Sequence, residues 1–257
     1  MMNYIKSEWY RITRNKDIYF LTGAIAGLCV LMNVILFVSN HTIPDFRYGT
    51  VRFSMNLGIG GLQILMMTGA FLAAFLFGNA KQNGTLKNVI AYGVSRKTIF
   101  IGECIVCTAV AFCSLAVILA VYIPSALLLL DGPSGKPLQV FFKGVGATLP
   151  SAVAAVILAV VLINVFDKAI SAVGLWWAIM IAVPQVCFFV GLKFEPIEKA
   201  AEWMPWNFLS MGVIANMSRY QCLWDTGEGL FQCLISGAVG ILIFLVCGLF
   251  LVRKKEL

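Results

Sequence analysis

The sequence predicts an all-α membrane protein, a bundle of six transmembrane helices, because its apolar stretches are long and continuous. About 20 apolar residues in an α-helix cross the hydrocarbon core of a bilayer. Six stretches reach this length, namely Tyr19–Val38, Leu57–Phe77, Ile99–Ile123, Val140–Val165, Ile170–Leu192 and Phe231–Val252. They lack the alternation that marks the strands of a β-barrel. A mean hydropathy of +0.90 with 12% charged residues is also far from the composition of a soluble domain.

The short polar segments between these stretches predict one transmembrane domain over residues 1–257, with residues 1–18 as an interfacial helix and residues 19–257 as the bundle. Only four residues, Phe166 to Ala169, separate the fourth and fifth stretches, which leaves room for a tight turn. No segment between the spans is long enough for a water-soluble catalytic domain. We therefore expect the function in the membrane helices, in the short loops or in a partner.

The distribution of Lys and Arg predicts that both termini are cytoplasmic. Basic residues are retained on the cytoplasmic side of a membrane protein, and an even number of spans places both termini on one side. Twelve of the 19 Lys and Arg residues fall on that side, in the segment before the first span, the second and fourth loops, and the tail. The net charge of +7 therefore reports orientation, and no nucleic-acid partner is expected.

Residues 1–18 are predicted to form an amphipathic helix in the lipid headgroup region. Met2, Ile5, Trp9 and Ile12 recur at helical spacing, while basic residues occupy other faces. A basic helix with a Trp-containing apolar stripe is typical of an interfacial segment. We expect it to anchor the chain to lipid, to contact a cytoplasmic partner, or to do both.

The loop between the second and third spans has the pattern of a short helix across the cytoplasmic end of the bundle. Thr85 can cap its start and Gly93 can end it. Ser95 can then cap the helix that continues into the third span. Its small apolar face is formed by positions i, i+3 and i+4, namely Leu86, Val89 and Ile90. An ordinary connecting loop resting on lipid is the alternative.

Two segments of the chain resemble ABC-2-type permease subunits of ATP-binding-cassette transporters. In that family a Gly-Thr-Leu-Lys-type turn precedes a Ser-Arg before the third span. This chain has Asn83-Gly84-Thr85-Leu86-Lys87-Asn88 followed by Gly93-Val94-Ser95-Arg96. The opening Tyr4-Ile5-Lys6-Ser7-Glu8-Trp9-Tyr10-Arg11 is similar to the family's amphipathic Lys-x-Glu-x-x-Arg/Lys start.

The resemblance implies an exporter permease that forms the substrate pathway with a second permease, the same chain or a relative, and is driven by a separate ATPase. The chain has no Gly-x-x-x-x-Gly-Lys-Ser/Thr phosphate loop. ATP and Mg²⁺ are therefore expected on the partner, with no cofactor and no enzymatic activity on this chain. The implied ATPase-coupling residues are Gly84, Thr85, Leu86, Lys87, Val89, Ile90, Gly93, Ser95 and Arg96. The small size and short outer loops resemble the branch that exports antimicrobial peptides or drugs across the bacterial cell membrane.

Lys193–Leu230, the loop before the last span, is predicted to lie at the outer end of the pathway. Glu195 and Pro196 can start a helix, and the resemblance implies small outer helices here. Trp203–Leu209 is too apolar for a solvent loop, and Pro205 is expected to prevent a regular helix. Irregular backbone at membrane depth needs protein or a water-filled cavity around it. A membrane-interface anchor is the alternative. The candidate gate residues are Trp203, Pro205, Trp206 and Phe208.

Polar residues inside the spans supply the gating candidates. Glu103 lies near the cytoplasmic end of the third span, within reach of Arg96 and Lys97, so a structural salt bridge is favoured over proton coupling. Pro184 is expected to kink the fifth span beside Gln185 and to free a backbone carbonyl. The gating candidates are therefore Glu103, Pro184 and Gln185.

Other classes of function find less support in the sequence. An ion-coupled secondary transporter or channel subunit, the alternative to an exporter, needs intramembrane charges or paired discontinuous helices, and Glu103 alone supports it. An intramembrane enzyme is disfavoured because His41, the only histidine, lies in an outer loop, and no HExxH motif is present. A structural or sensory membrane subunit remains open.

Overall fold

The chain folds into a helical bundle that carries a short β-hairpin at one end. A computed structural model describes residues 2–78, 93–215 and 220–254. In chain order the helices are α1 (Met2–Ile12), α2 (Lys16–Thr42), α3 (Val51–Gly60), α4 (Leu62–Ala73), α5 (Arg96–Leu129), α6 (Gly135–Val165), α7 (Ala169–Trp177), α8 (Val183–Gly191), α9 (Glu195–Glu202), α10 (Pro205–Met211) and α11 (Gly227–Lys254). The irregular and extended elements are π-helical turns at Ala74–Gly78 and Ala178–Ala182, antiparallel strands β1 (Val213–Ala215) and β2 (Tyr220–Cys222), and a 3₁₀ turn at Leu223–Asp225.

Among the described residues, five helices are long and apolar enough to cross a membrane: α2, α5, α6, the α7–α8 pair and α11. A bent pair, Val51–Gly60 and Leu62–Gly78, whose axes meet at 53°, is the candidate for a sixth crossing. The helical membrane fold is therefore confirmed. The predicted second span, Leu57–Phe77, is not one straight helix, and the hairpin is an addition to the predicted all-α fold.

Local chemistry explains several helix starts. Asn15 and Ser95 cap α2 and α5, because their side-chain oxygens accept hydrogen bonds from the backbone N–H groups of Asp17 (2.9 Å) and Thr98 (3.3 Å). The expectation that Pro205 prevents a regular helix is wrong. Pro205 is the first residue of α10, where its fixed φ suits the helix and its missing N–H breaks no hydrogen bond.

The fourth span, α6, forms the centre of the bundle. In its most apolar stretch 78% of the residues are buried, against 11–22% in α2, α5, the α7–α8 pair and α11. Glycines of α11 allow the close approach of α6: a Cβ at Gly237 would collide with Pro150, and one at Gly240 would lie 3.1 Å from the Cβ of Ala154. Small residues at helix contacts are a common basis of packing in membranes.

The two ends of the bundle carry different elements. Tyr4 of α1 contacts Gly102 of α5, and Gly248, near the end of α11, contacts Phe100 of α5. Both termini of the described chain therefore lie at one end of the bundle, which we call the α1 end. The opposite end, with α9, α10, β1 and β2, is called the hairpin end. That the α1 end faces the cytoplasm stays a prediction.

Candidate functional site

The predicted ATPase-coupling residues fall partly within the described structure. Those outside it are Gly84, Thr85, Leu86, Lys87, Val89 and Ile90. Gly93 has a φ of 85°, in the left-handed region that favours glycine. Ser95 caps α5 as predicted, and Arg96 is the first residue of that helix. Contact of these residues with an ATPase stays a prediction.

Glu103 is a buried acidic residue between two spans at the α1 end. Its side chain is on α5, and the residue is 2% exposed. Asn164 of α6 donates from Nδ2 to Glu103 Oε2 and to the carbonyl of Val160, at 3.0 Å in the second case. The sequence favours Arg96 or Lys97 as the partner of Glu103, whereas this hydrogen bond comes from the neighbouring span. It ties the third span to the fourth.

Helix α1 packs on the same end of the bundle with a face that matches the predicted stripe only in part, at Ile5 and Ile12. Tyr4 and Ile12 are buried, whereas Met2 and Trp9 are exposed. Gly102 leaves the space that the Tyr4 ring occupies, since a Cβ there would lie 2.8 Å from Cδ1 of the ring. The helix therefore contacts protein through Tyr4 and Ile12, and it leaves Met2 and Trp9 for its surroundings.

The charged groups on α1 also contact the bundle. The guanidinium of Arg11 lies 5.6 Å from the ring centroid of Phe77 and forms an ion pair with Glu8. Burial raises the pKa of Tyr4 well above its usual range, and the negative charges of Glu103 and Glu8 raise it further. The Tyr4 hydroxyl therefore stays protonated, beside the buried carboxyl group of Glu103.

The candidate gate residues lie together at the hairpin end. Trp203 is exposed at the end of α9, where its carbonyl accepts a hydrogen bond from Ser236 Oγ of α11 at 2.7 Å. Pro205 begins α10, Trp206 is half-buried and Phe208 is buried. The structure thus brings the four residues onto two short adjoining helices, and their role as a gate stays a prediction.

Pro184 and Gln185 follow an interruption of the fifth span. The interruption is the π-helical turn Ala178–Ala182, directly before α8. Asn207 of α10 donates from Nδ2 to the carbonyls of Pro184 (2.8 Å) and Ala201 (3.0 Å), and so fixes α8 against α9 and α10. The Gln185 side chain is exposed and makes no hydrogen bond within the described residues.

A cavity of about 720 Å³ lies inside the bundle, between α2, the α3–α4 pair, α5 and α6. None of its lining residues is charged. The lining residues with polar side chains are Thr22, Asn56, Thr68, Thr108, Ser114 and Tyr122. Small-molecule sites typically occupy about 300–1,000 Å³ and have mostly apolar walls with few polar groups. The cavity fits that description.

A buried hydrogen-bond network borders the cavity at Tyr122. Ser54 Oγ donates to Asn33 Oδ1 at 2.7 Å, and Tyr122 OH donates to the carbonyl of Ser54 at 2.7 Å. Asn33 Nδ2 donates to Ser125 Oγ at 2.8 Å. Polar groups inside a membrane must find partners within the protein. The network therefore fixes α2, α3 and α5 relative to one another.

Sequence reasoning missed this cavity, although one signal of it is present. Three glycines within four residues, Gly58, Gly60 and Gly61, interrupt the predicted second span, and such clusters mark breaks or close backbone approach. Gly58 packs against Phe141 and Tyr122, and all three glycines line the cavity. None of the predicted coupling, gate or gating residues within the described structure lines it.

A family model described as ABC-2 family transporter protein matches residues 4–185, from α1 to the start of α8. The chain belongs to the ABC-2 transporter family. No curated protein matches its sequence. The family match confirms the predicted family, without selecting a branch of it.

Membership makes this ABC-2 transporter chain a multi-pass membrane subunit of an ABC exporter, a transport component and not a catalytic subunit. The matched region contains α1, the Glu103–Asn164 pair and every residue of the cavity wall. Helices α9 and α10, the hairpin and the last span lie outside it.

Proposed function

We propose that this chain forms half of the substrate pathway of an ABC exporter in the bacterial inner membrane. A second permease, identical or related, completes the pathway, and a separate ATPase that binds ATP and Mg²⁺ drives it. The substrate is an amphipathic peptide or drug, and the α1 end faces the cytoplasm. Family membership and the apolar helices support this reading.

The coupling part of the proposal rests on contacts between α1, α5 and α6 at the α1 end. Tyr4 of α1, Glu103 of α5 and Asn164 of α6 meet near the start of α5. The segment proposed to contact the ATPase precedes this helix in the chain. Because close-packed interiors transmit strain, a displacement at the start of α5 reaches α1 and the fourth span through these contacts.

The hairpin end supports the proposed outer gate. Trp203 exposes its ring beside α11, and the half-buried Trp206 follows on α10. Large aromatic rings can hold an amphipathic molecule by apolar contact and release it outward. We propose Trp203, Pro205, Trp206 and Phe208 as the gate.

The exposed amide of Gln185 supports a second permease. It lies in a membrane-spanning helix and has no hydrogen-bond partner within the described residues. An unpaired amide in hydrocarbon is costly. A polar group of a neighbouring permease, or water in a shared pathway, would satisfy it. Gln185 and Pro184 therefore stay gating candidates, at a surface that a single chain leaves incomplete.

Co-purification with the ATPase tests the coupling. Leu86→Asp is expected to abolish co-purification while the permease remains in the membrane. Three partly buried side chains supply only a few kcal/mol at about 25 cal/mol per Å², so one carboxylate in that face removes most of the contact energy. Asn88→Asp is the matched control, because it adds the same charge outside the proposed apolar face. A Leu86→Asp complex that survives like the control would show that the docking site is wrong.

An ion-coupled secondary transporter or channel subunit is the second candidate. The broken second span and the buried Glu103 favour it, since interrupted helices and intramembrane charges are features of such proteins. Transport in vesicles that follows an ion gradient without any ATPase would support this candidate. Transport that requires both ATP and the ATPase would support the exporter.

A further inference from the structure

We propose that the cavity between α2, the α3–α4 pair, α5 and α6 holds one acyl chain of a membrane lipid. The proposal goes beyond the exporter function and does not depend on it. It concerns the contact of the spans with membrane lipid, and not their contact with an ATPase or a second permease. Three features of the cavity lead to it: the chemistry of its mouth, the volume of its interior, and the pairing of its polar groups.

The mouth of the cavity is apolar. Four large lining side chains are also exposed on the outside of the bundle, which places them at the rim: Leu28, Leu57, Ile64 and Phe112. They belong to α2, both halves of the second span and α5. Each of these elements is long and apolar enough to cross a membrane, either alone or, for α3 and α4, as the bent pair. The opening is therefore sideways, toward the hydrocarbon of the bilayer, where acyl chains are the abundant neighbours.

The interior is too large to stay empty. Voids in protein interiors are normally little larger than a water molecule, and an apolar cavity of about 150 Å³ already binds a small hydrocarbon. This one measures about 720 Å³. Its inner wall is formed by α6, including the buried Val145, Ala152 and Val156. Wall atoms beside a void lose their dispersion contacts, and an acyl chain restores them.

Most of the polar groups in the wall are already satisfied by the protein. Thr22 Oγ1 donates to Ser114 Oγ at 3.0 Å, and Thr68 Oγ1 donates to the carbonyl of Leu65 at 2.8 Å. The Tyr122 hydroxyl donates to the carbonyl of Ser54 in the buried network. These groups need nothing further from a ligand. The wall therefore suits a hydrocarbon chain better than the polar part of an exported molecule.

Photocross-linking tests the proposal. The purified protein is reconstituted in phosphatidylethanolamine–phosphatidylglycerol vesicles that contain a phospholipid with a diazirine in the middle of one acyl chain. After irradiation, peptide mass spectrometry locates the cross-links. We expect labels on Val145 and Val156, which are buried and which surrounding lipid reaches only through the cavity. Cross-links confined to outward-facing residues would overturn the proposal.

Two filled variants and a matched control sharpen the result. Ala152→Trp fills the cavity from α6, and Ala111→Trp fills it from α5. If one of these variants misfolds, the other still tests the proposal. Each is expected to lower the labelling of α6 relative to the exposed face of α11 by about tenfold. Ala238→Trp, on that exposed face, should leave the α6 labelling unchanged.

Equal labelling of α6 in both filled variants and the wild type would show that the chain lies elsewhere. A photoreactive palmitic acid serves as a second probe. If it labels α6 while the phospholipid does not, the cavity takes a free aliphatic molecule, and the lipid proposal is wrong.

Discussion

The second and fifth spans are both interrupted, but different groups surround the two interruptions. In the fifth span, the buried Asn207 binds the carbonyls of Pro184 and Ala201 and fixes the helix after the π-helical turn. In the second span, Gly61 N–H donates to the carbonyl of Leu57 at 3.0 Å, with no side chain capping α4. A buried amide therefore stabilises the interruption in the fifth span, whereas the interruption in the second span borders a cavity.

The two halves of the second span are nevertheless well anchored. Val51 N–H of α3 donates to the carbonyl of Asp131 at 3.0 Å, and Ser54 belongs to the buried network. Gly69 of α4 packs directly against Val156 of α6. Any change in the angle between α3 and α4 is therefore concentrated at Gly60 and Gly61. Such short joints between rigid elements are where hinge motion is absorbed.

Removal of the Asn207 amide, which α10 presents to the fifth span, is expected to have the largest effect. Asn207→Leu keeps a similar volume but leaves the carbonyls of Pro184 and Ala201 without this donor in a buried place. Each carbonyl loses one buried hydrogen bond, although Ala201 keeps the one from Met204 N–H at 3.1 Å. At about 1–2 kcal/mol for each lost bond, we expect a loss of about 2–4 kcal/mol in the free energy of unfolding. Thermal unfolding of the purified protein measures it. Asn3→Leu, which removes an exposed amide from α1, is the control and should change stability by less than about 0.5 kcal/mol.

An unchanged melting temperature for Asn207→Leu would show that the fifth span does not need the Asn207 amide of α10 for its stability. The contrast between the two interruptions would then disappear.

A smaller loss is expected when the packing of α4 on α6 is disturbed. A Cβ at Gly69 would lie 2.5 Å from Cγ2 of Val156 and 3.4 Å from its Cα, so Gly69→Ala forces the helices apart. Overpacking of this kind costs about 1–3 kcal/mol, again measured by thermal unfolding. The control is Gly60→Ala in the same span, where a Cβ meets nothing within 4 Å. Equal stability of the two variants would contradict the described packing.

The smallest effect, of opposite sign, is expected at the joint itself. Gly61 has a φ of −87° and a ψ of 1°, which alanine can adopt, so Gly61→Ala should raise the free energy of unfolding by about 0.4–1 kcal/mol. If the angle changes during transport, the same variant transports more slowly at an equal amount in the membrane. A lowered melting temperature would show that the joint needs glycine for its static shape.

The membrane fold is predictable from the sequence because length and hydropathy report directly on the ability of a helix to cross lipid. The break in the second span is not, since Gly60 and Gly61 scarcely lower the hydropathy of an apolar run. Its angle depends on how α4 packs on α6. Strands β1 and β2 have three residues each, too few for a recognisable alternation.

The candidate site can be predicted only in part from the sequence, for a related reason. Glu103 stands out in an apolar span, but Asn164 lies 61 positions later, and their meeting depends on the rotation of two helices. The cavity is lined mainly by Leu, Ile, Val, Gly and Thr, types that also face lipid. The prediction for Pro205 is wrong because proline is found both where helices end and at the first residue of helices.

The network around Asn33 has a consequence for biogenesis. Asn33 is made as part of the first span, whereas its partners Ser54 and Ser125 follow 21 and 92 residues later in the chain. During synthesis the first span therefore enters the bilayer with an amide that has no lasting partner. Ser54 is made with the second span and Ser125 with the third, so the full set of hydrogen bonds to Asn33 can form only after the third span is made. The completed network then favours one rotation of these three helices relative to one another.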